Sequence, residues 1–217
     1  MALLVLLSAC GPDRTVATES AADALARGDS AFQQLQFAQA ARDYSTAIQL
    51  DSTLAQAFLM RGQVRWMGQQ YESAVDDLNR ALDLDSSLAW GYFFRGSSYL
   101  SLDSLTRALD DLQIAAAAAE LPDEDRARAH RLRAIVHMST DRYGEGVDAI
   151  SEAIELQPDL AYYVFERGLL NAAAERPEAA AADLERFLAM DTTANENTAF
   201  ARAKLDSLRA ARPDIQP

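Results

Sequence analysis

The sequence predicts an all-α fold built from a repeated unit, on three observations. Residue identities recur with a step of 34: Gly28, Gly62 and Gly96; Ala40, Ala74 and Ala108; Ala47, Ala81 and Ala115. Glycine (9) and proline (6) are scarce in 217 residues and alanine is plentiful, which favours helices over a sandwich or barrel. Within one period the apolar residues fall at helical spacing, as in Ala74, Val75, Leu78, Ala81 and Leu82. A step of this length marks a unit that buries its apolar face only by stacking on its neighbours.

Bulk composition excludes several classes. There are 20 basic and 33 acidic residues, a net charge of -13, with 49% hydrophobic and 24% charged residues. That balance is globular rather than disordered. A pI near 4.5 argues against nucleic acid as a partner, because phosphate contacts need a basic footprint. Cys10 is the only cysteine, so the chain holds no internal disulfide and no cysteine-based zinc site.

The first element is the segment 1–9. The run from Ala2 to Leu7 is apolar but far shorter than the ~20 residues a bilayer-spanning helix needs. Leu7-Ser8-Ala9-Cys10 resembles the bacterial lipobox. The resemblance implies that 1–9 is a lipoprotein signal peptide, that the Cys10 thiol takes a diacylglyceryl group, and that cleavage leaves Cys10 first and acylated. Such chains, at ~0.8 kcal/mol per buried CH₂, anchor a protein to the lipid bilayer. Gly11 in place of Asp implies sorting to the outer membrane. No Lys or Arg precedes the apolar run and the run is short, as a true start further upstream would leave them. Residues 10–20 then read as lipidated cysteine and tether.

Residues 21–194 carry the periodic units, at 21–54, 55–88, 89–122, 127–160 and 161–194. The fourth shows Ala134, Tyr143, Gly146, Ile150, Ala153 and Pro158; the fifth shows Gly168, Pro177, Ala180, Leu184 and Phe187. This pattern resembles the tetratricopeptide repeat family, which implies a right-handed α-solenoid of about five helix-turn-helix units. Small residues at unit positions 8 and 20 suit a close crossing of the two helices. Leu84-Asp85-Ser86-Ser87 predicts a helix stop followed by new N-cap candidates. The stretch 121–126 holds a four-residue insertion, which predicts a longer first helix in unit four or a local change of pitch. Phe187, where earlier units have Ala, predicts that whatever follows sits further off. Residues 195–212 read as a capping helix with Phe200, Ala203, Leu205 and Leu208 inward, as repeat arrays require, and 213–217 as a tail.

Position 7 of every unit is arginine: Arg27, Arg61, Arg95, Arg133 and Arg167. The resembled family usually has Leu there. An acid recurs at position 22 or 23: Asp43, Asp76 or Asp77, Asp110 or Asp111, Asp148 and Asp183. One reading is a guanidinium ladder for an acidic ligand. The favoured reading is a repeated structural pair between the two helices of each unit, for which the planar arginine fork is suited.

The resemblance also implies a concave face formed by the first helix of each unit. On it fall the candidate partner-binding residues Phe32, Leu59, Trp66, Met67, Trp90, Phe93, Arg128, Arg131, Tyr162 and Phe165. The alternative for Trp90, Phe93 and Tyr162 is ordinary packing into neighbouring helices. The Lys and Asn positions by which chaperone-type relatives hold acidic tails are absent. An apolar or amphipathic peptide segment is therefore expected, with Arg128 and Arg131 as the basic spot to meet a carboxylate. His130 and His137 stand seven apart in one helix, unlike the i,i+3 or i,i+4 spacing of helical metal pairs. Neither metal, cofactor nor catalytic motif is expected. The function that follows is a membrane-anchored protein-interaction scaffold of the bacterial cell envelope, on the outer membrane facing the periplasm. A self-associating spacer and a non-lipidated cytoplasmic adaptor are the alternatives.

Overall fold

The computed structural model describes residues 19–211. The Cys10 motif, the 1–9 segment and the 213–217 tail lie outside the described residues. Within them the chain forms eleven α-helices and no strand. They pair as α1 (Ala21–Gln33) with α2 (Phe37–Leu50), α3 (Ala55–Met67) with α4 (Tyr71–Leu84), and α5 (Ala89–Ser101) with α6 (Leu105–Ala117). Then come α7 (Asp123–Ser139) with α8 (Tyr143–Leu156), α9 (Ala161–Ala173) with α10 (Pro177–Met190), and α11 (Glu196–Ala211). Each pair packs together and each second helix packs on the first helix of the next unit. First helices also meet one another directly, α3 with α5 and α5 with α7. The fold is thus an α-solenoid of five repeats and a C-terminal helix.

The turn inside each unit is made the same way five times. Leu35, Gln69, Asp103, Asp141 and Glu175 all lie at positive φ, between 55° and 60°. A left-handed L-residue costs about 1–2 kcal/mol, and none of the five is glycine. The offset is a pair of backbone bonds that cap the first helix. In unit two, Gln69 N–H donates to the Trp66 carbonyl at 3.0 Å and Gln70 N–H to the Arg65 carbonyl at 2.9 Å.

The turn between units uses aspartate. Asp51, Asp85 and Asp191 each accept from the backbone N–H and the hydroxyl of the residue two further on; at Asp85 these bonds to Ser87 are 2.9 and 2.7 Å. They hold the three carboxyls below the usual carboxylate range. The expected N-caps are therefore not used as such. The cap position of α5 falls on Leu88, which has no polar side chain to bond the helix, and the Ser87 hydroxyl one residue earlier is turned back onto Asp85. A true capping box is found at the start of the array, where Ser20 and Asp23 bond each other reciprocally across the first turn of α1.

Close helix crossing explains the small residues. A Cβ on Gly62 would stand 2.8 Å from the Leu78 Cγ, and Leu78 is fully buried. In unit four the pair is exchanged. Ala134 takes the glycine position and Gly146 the alanine position, where an added Cβ would lie 3.5 Å from the Ala134 carbonyl oxygen. The insertion lengthens a helix, as expected. α7 has 17 residues against 13 for α5, and four residues are about one helical turn. Its acidic first turn, Asp123, Glu124 and Asp125, complements the helix dipole.

The capping helix forms with a different phase from the one expected. Thr198, Ala201 and Leu205 face inward and Leu208 is half-buried, whereas Phe200 is 55% exposed and Ala203 is exposed. Asn195 sets the phase: its side chain accepts from Thr198 N–H at 2.9 Å while its own N–H donates to the Thr198 hydroxyl at 3.1 Å. That reciprocal cap buries Thr198 and turns Phe200 off the inward stripe. Phe187 is buried against Phe165, ring centres 4.8 Å apart. α11 packs on α10. Among the described residues no helix is long and apolar enough to cross a membrane.

Candidate ligand groove

The first helices of all five units line one depression of about 640 Å³. Its lining takes Phe32 from α1, Trp66 and Met67 from α3, Trp90 and Phe93 from α5, Arg128 and Arg131 from α7, and Tyr162 from α9. Eight of the ten candidate residues are thus brought together from positions up to 130 residues apart. Residues at equivalent positions of successive units face the same way because each unit repeats the geometry of the last.

An aromatic cluster forms the wall. Trp90 stacks on Phe94 at 5.5 Å and 19°, Trp66 lies 5.2 Å from Phe94, and Phe93 meets Phe94 edge-on at 5.4 Å. Phe94 was not among the candidates. It is almost fully buried and acts as the post on which both tryptophans rest. Its only sequence signal is an unbroken aromatic stretch, Tyr92-Phe93-Phe94. Phe93 is itself 5% exposed, so it is both groove floor and core.

Leu59 and Phe165 depart from expectation. Leu59 is 4% exposed and belongs to the apolar core formed with Phe58 and Leu78, because direct packing of α3 on α5 covers it. Phe165 is drawn towards Phe187 and lines a second, smaller depression of about 140 Å³ between α7 and α9, with Ile135, Met138 and Leu169. Arg131 and Tyr162 line both depressions and stand between them. The Arg131 guanidinium lies over the Tyr162 ring at 5.2 Å.

The basic spot is already neutralised. Arg131 makes two bonds of 2.7 Å to the Glu166 carboxylate. That hydrogen bonding, beyond the opposing effect of burial, raises its pKa above the ordinary arginine value. Arg128 bonds Glu124 at 2.6 Å and Asp125 at 3.1 Å. The expected encounter with a ligand carboxylate is met from within, because the inserted turn of α7 carries acids one turn before Arg128.

The arginine column is an internal pairing in four units of five. Arg61 binds Asp77 through Nε and Nη2 at 2.8 and 2.6 Å; Arg95 binds Asp111 likewise at 2.7 and 2.8 Å; Arg167 binds Asp183 at 2.9 and 2.6 Å. Arg27 reaches Asp43 more loosely, at 3.3 Å. In units two, three and five the remaining nitrogen of the fork reaches the unit before, Arg61 to Ser45 at 3.0 Å, Arg95 to Asn79 at 2.9 Å and Arg167 to Ser151 at 3.3 Å. Unit four breaks the pattern. The position sixteen residues after Arg133 is Ala149, Asp148 points outward, and Arg133 instead binds Glu152 and His130, each at 2.9 Å. Burial lowers the pKa of His130 and of His137, and His137 Nδ1 is buried without a hydrogen-bond partner. Among the described residues no group of His, Cys, Asp and Glu is placed to hold a metal.

An α-solenoid presenting one aromatic-walled groove has the build of a protein-interaction scaffold. Two family models described as tetratricopeptide repeat match the chain, one over residues 25–89 and 95–161 and the other over 132–196. The chain belongs to the tetratricopeptide repeat family. No curated protein matches it in sequence. Among solved structures it is similar to YrrB, described as a tetratricopeptide repeat protein with an unusual peptide-binding site. That match has 20% identity and a TM-score of 0.73, covering 85% of this chain and 92% of that one. MamA from Desulfovibrio magneticus RS-1 matches at 19% identity and TM-score 0.71, covering 78% and 94%. PilW, described as a widely conserved type IV pilus biogenesis factor, matches at 13% identity and TM-score 0.71, covering 90% and 88%. At these identities the likeness is one of fold.

Proposed function

We propose that this chain is a lipid-anchored adaptor of the bacterial cell envelope that holds an extended or helical segment of a partner protein in its concave groove. The observation that carries the reading is the convergence of all five first helices on a single groove whose exposed lining includes Met67 and Tyr162. Apolar and aromatic surface left open at the centre of a repeat array suits protein recognition. A peptide-binding site in YrrB and pilus biogenesis in PilW support a binding role and an envelope setting. The lipid anchor rests on Leu7-Ser8-Ala9-Cys10 alone.

The test is a crosslinking pull-down from envelope extract, comparing wild type with Met67→Glu. Met67 is 42% exposed, so the substitution alters the groove and spares the core. Phe93→Ala is a poorer probe because it opens a cavity. Loss of a partner band with unchanged melting supports the groove; an unchanged band counts against it. Alkyne fatty-acid labelling of wild type and Cys10→Ser checks the anchor, and absence of label on wild type removes it.

A further inference from the structure

We infer that the segment held by this groove is apolar with basic flanks, and that it carries two anchors, one for each depression, separated at the Arg131–Tyr162 divide. The inference rests on the groove being the binding site and adds the chemistry of its occupant.

Charge complementarity decides the sign. The two guanidiniums of the groove, Arg128 and Arg131, are matched within the chain by Glu124, Asp125 and Glu166. Two cations against three carboxylates leave the local balance negative, in a chain of net charge -13. An acidic segment gains no free cation here. To take Arg131 it must displace Glu166, whose side chain is 18% exposed, and a half-buried carboxylate without its partner is destabilising. A basic segment meets no such conflict. Glu124 is 63% exposed beside Arg128 and has room to accept a second cation.

Shape decides the anchors. The larger depression, walled by Trp66, Trp90 and Phe94, has a volume within the range of small-molecule pockets and takes a bulky aromatic or branched side chain together with the segment of chain that carries it. The smaller one, about 140 Å³ and bordered by Ile135, Met138 and Leu169, is near the size of an apolar cavity that accepts one benzene ring. It fits a single leucine, isoleucine or phenylalanine. Tyr162, 39% exposed between them, offers its hydroxyl to the backbone that must cross the divide.

Both tryptophans of the chain line the larger depression, so their emission reports occupancy when the probe lacks tryptophan. The full chain is titrated with a synthetic twelve-residue peptide of Leu, Phe, Ser and Gly flanked by lysines, and with the same peptide bearing glutamates. The expected result is a tryptophan emission change at least about tenfold more sensitive to the lysine peptide at low salt, narrowing as salt rises. Glu124→Lys is expected to erase that preference. Met138→Lys, at an exposed site of the second depression, is expected to weaken binding of the lysine peptide while Trp66 and Trp90 still respond. Equal or tighter response to the glutamate peptide overturns the inference and leaves the groove as the site. No emission change with either peptide overturns the groove reading itself. A concentration-dependent emission change without peptide, tracking dimer formation in sedimentation, assigns the groove to a second copy and also overturns the inference.

Discussion

Arg95→Leu tests the physical role of the arginine column. Arg95 holds Asp111 by two bonds, 2.7 Å through Nε and 2.8 Å through Nη2, and Asn79 of the preceding unit at 2.9 Å. The hydrogen bonding to Asp111 outweighs burial and raises the Arg95 pKa above its ordinary value. The Asp111 side chain is only 6% exposed and the Arg95 side chain 19%. Removing the guanidinium strands a buried carboxylate. Breaking a buried pair costs about 3–5 kcal/mol; the residual exposure of the arginine end places this case at the lower bound, about 3 kcal/mol. For a chain of this length that is a fall in melting temperature of about 6–12 °C. The assay is thermal unfolding by circular dichroism on wild type, Arg95→Leu, Asp111→Leu and the double variant. Because an uncharged replacement of both partners removes the stranded charge, the double variant is expected to recover most of the loss. Tryptophan response to a groove peptide is expected to persist in the folded single variant. If Arg95→Leu melts with wild type, or the double variant is as unstable as the sum of the singles, the pairing account is wrong. If stability is unchanged and peptide response is lost, the column is a ligand ladder after all.

Other outcomes follow from single positions. Gly62→Ala forces a Cβ to within 2.8 Å of the buried Leu78 and is expected to destabilise by about 1–3 kcal/mol in urea unfolding. Gly68→Ala, at φ -81° with its new Cβ no nearer than 3.5 Å to any neighbour, is expected to stabilise by about 0.4–1 kcal/mol. Leu205→Ala is expected to cost about 2–4 kcal/mol and to speed hydrogen exchange in α11 first. Burial depresses the His130 and His137 pKa values in the fold. The unfolded chain then binds more protons, so stability is expected to fall as pH drops below about 6.5. His137→Leu is expected to flatten part of that slope in pH-dependent melting.

The architecture was legible because repetition multiplies a weak local signal. One glycine before a helix crossing means little, but Gly28, Gly62, Gly96 and Gly168 at one unit position mean that something large faces each of them. The longer α7 was legible because an inserted turn leaves the repeat phase intact on either side. What escaped the sequence was the direction of individual side chains. Ser86 and Ser87 read as caps, yet Asp85 captures Ser87. Phe200 and Ala203 read as inward, yet the Asn195–Thr198 cap rotates α11 away from them. The positive-φ turns carried no glycine to mark them, because capping bonds rather than side-chain absence stabilise them. In the groove, the resemblance to the repeat family placed eight residues on one face, and the structure shows them lining one depression. The resemblance did not foresee that α3 packs on α5 closely enough to bury Leu59, or that Phe187 draws Phe165 into the core. Nor did it foresee that Glu124, Asp125 and Glu166 satisfy both groove arginines before any partner arrives.

In the proposed function, partners are held on the face formed by the first helices. Met67 and Ile114 are alike in exposure, 42% and 46%, but Met67 lines the groove and Ile114 sits on the second helix α6 of unit three. A photoreactive amino acid placed at either position in the intact cell provides the most direct measurement. A discrete crosslinked partner is expected from position 67 and none from position 114. The same partner from both positions, or from 114 alone, contradicts the proposed function.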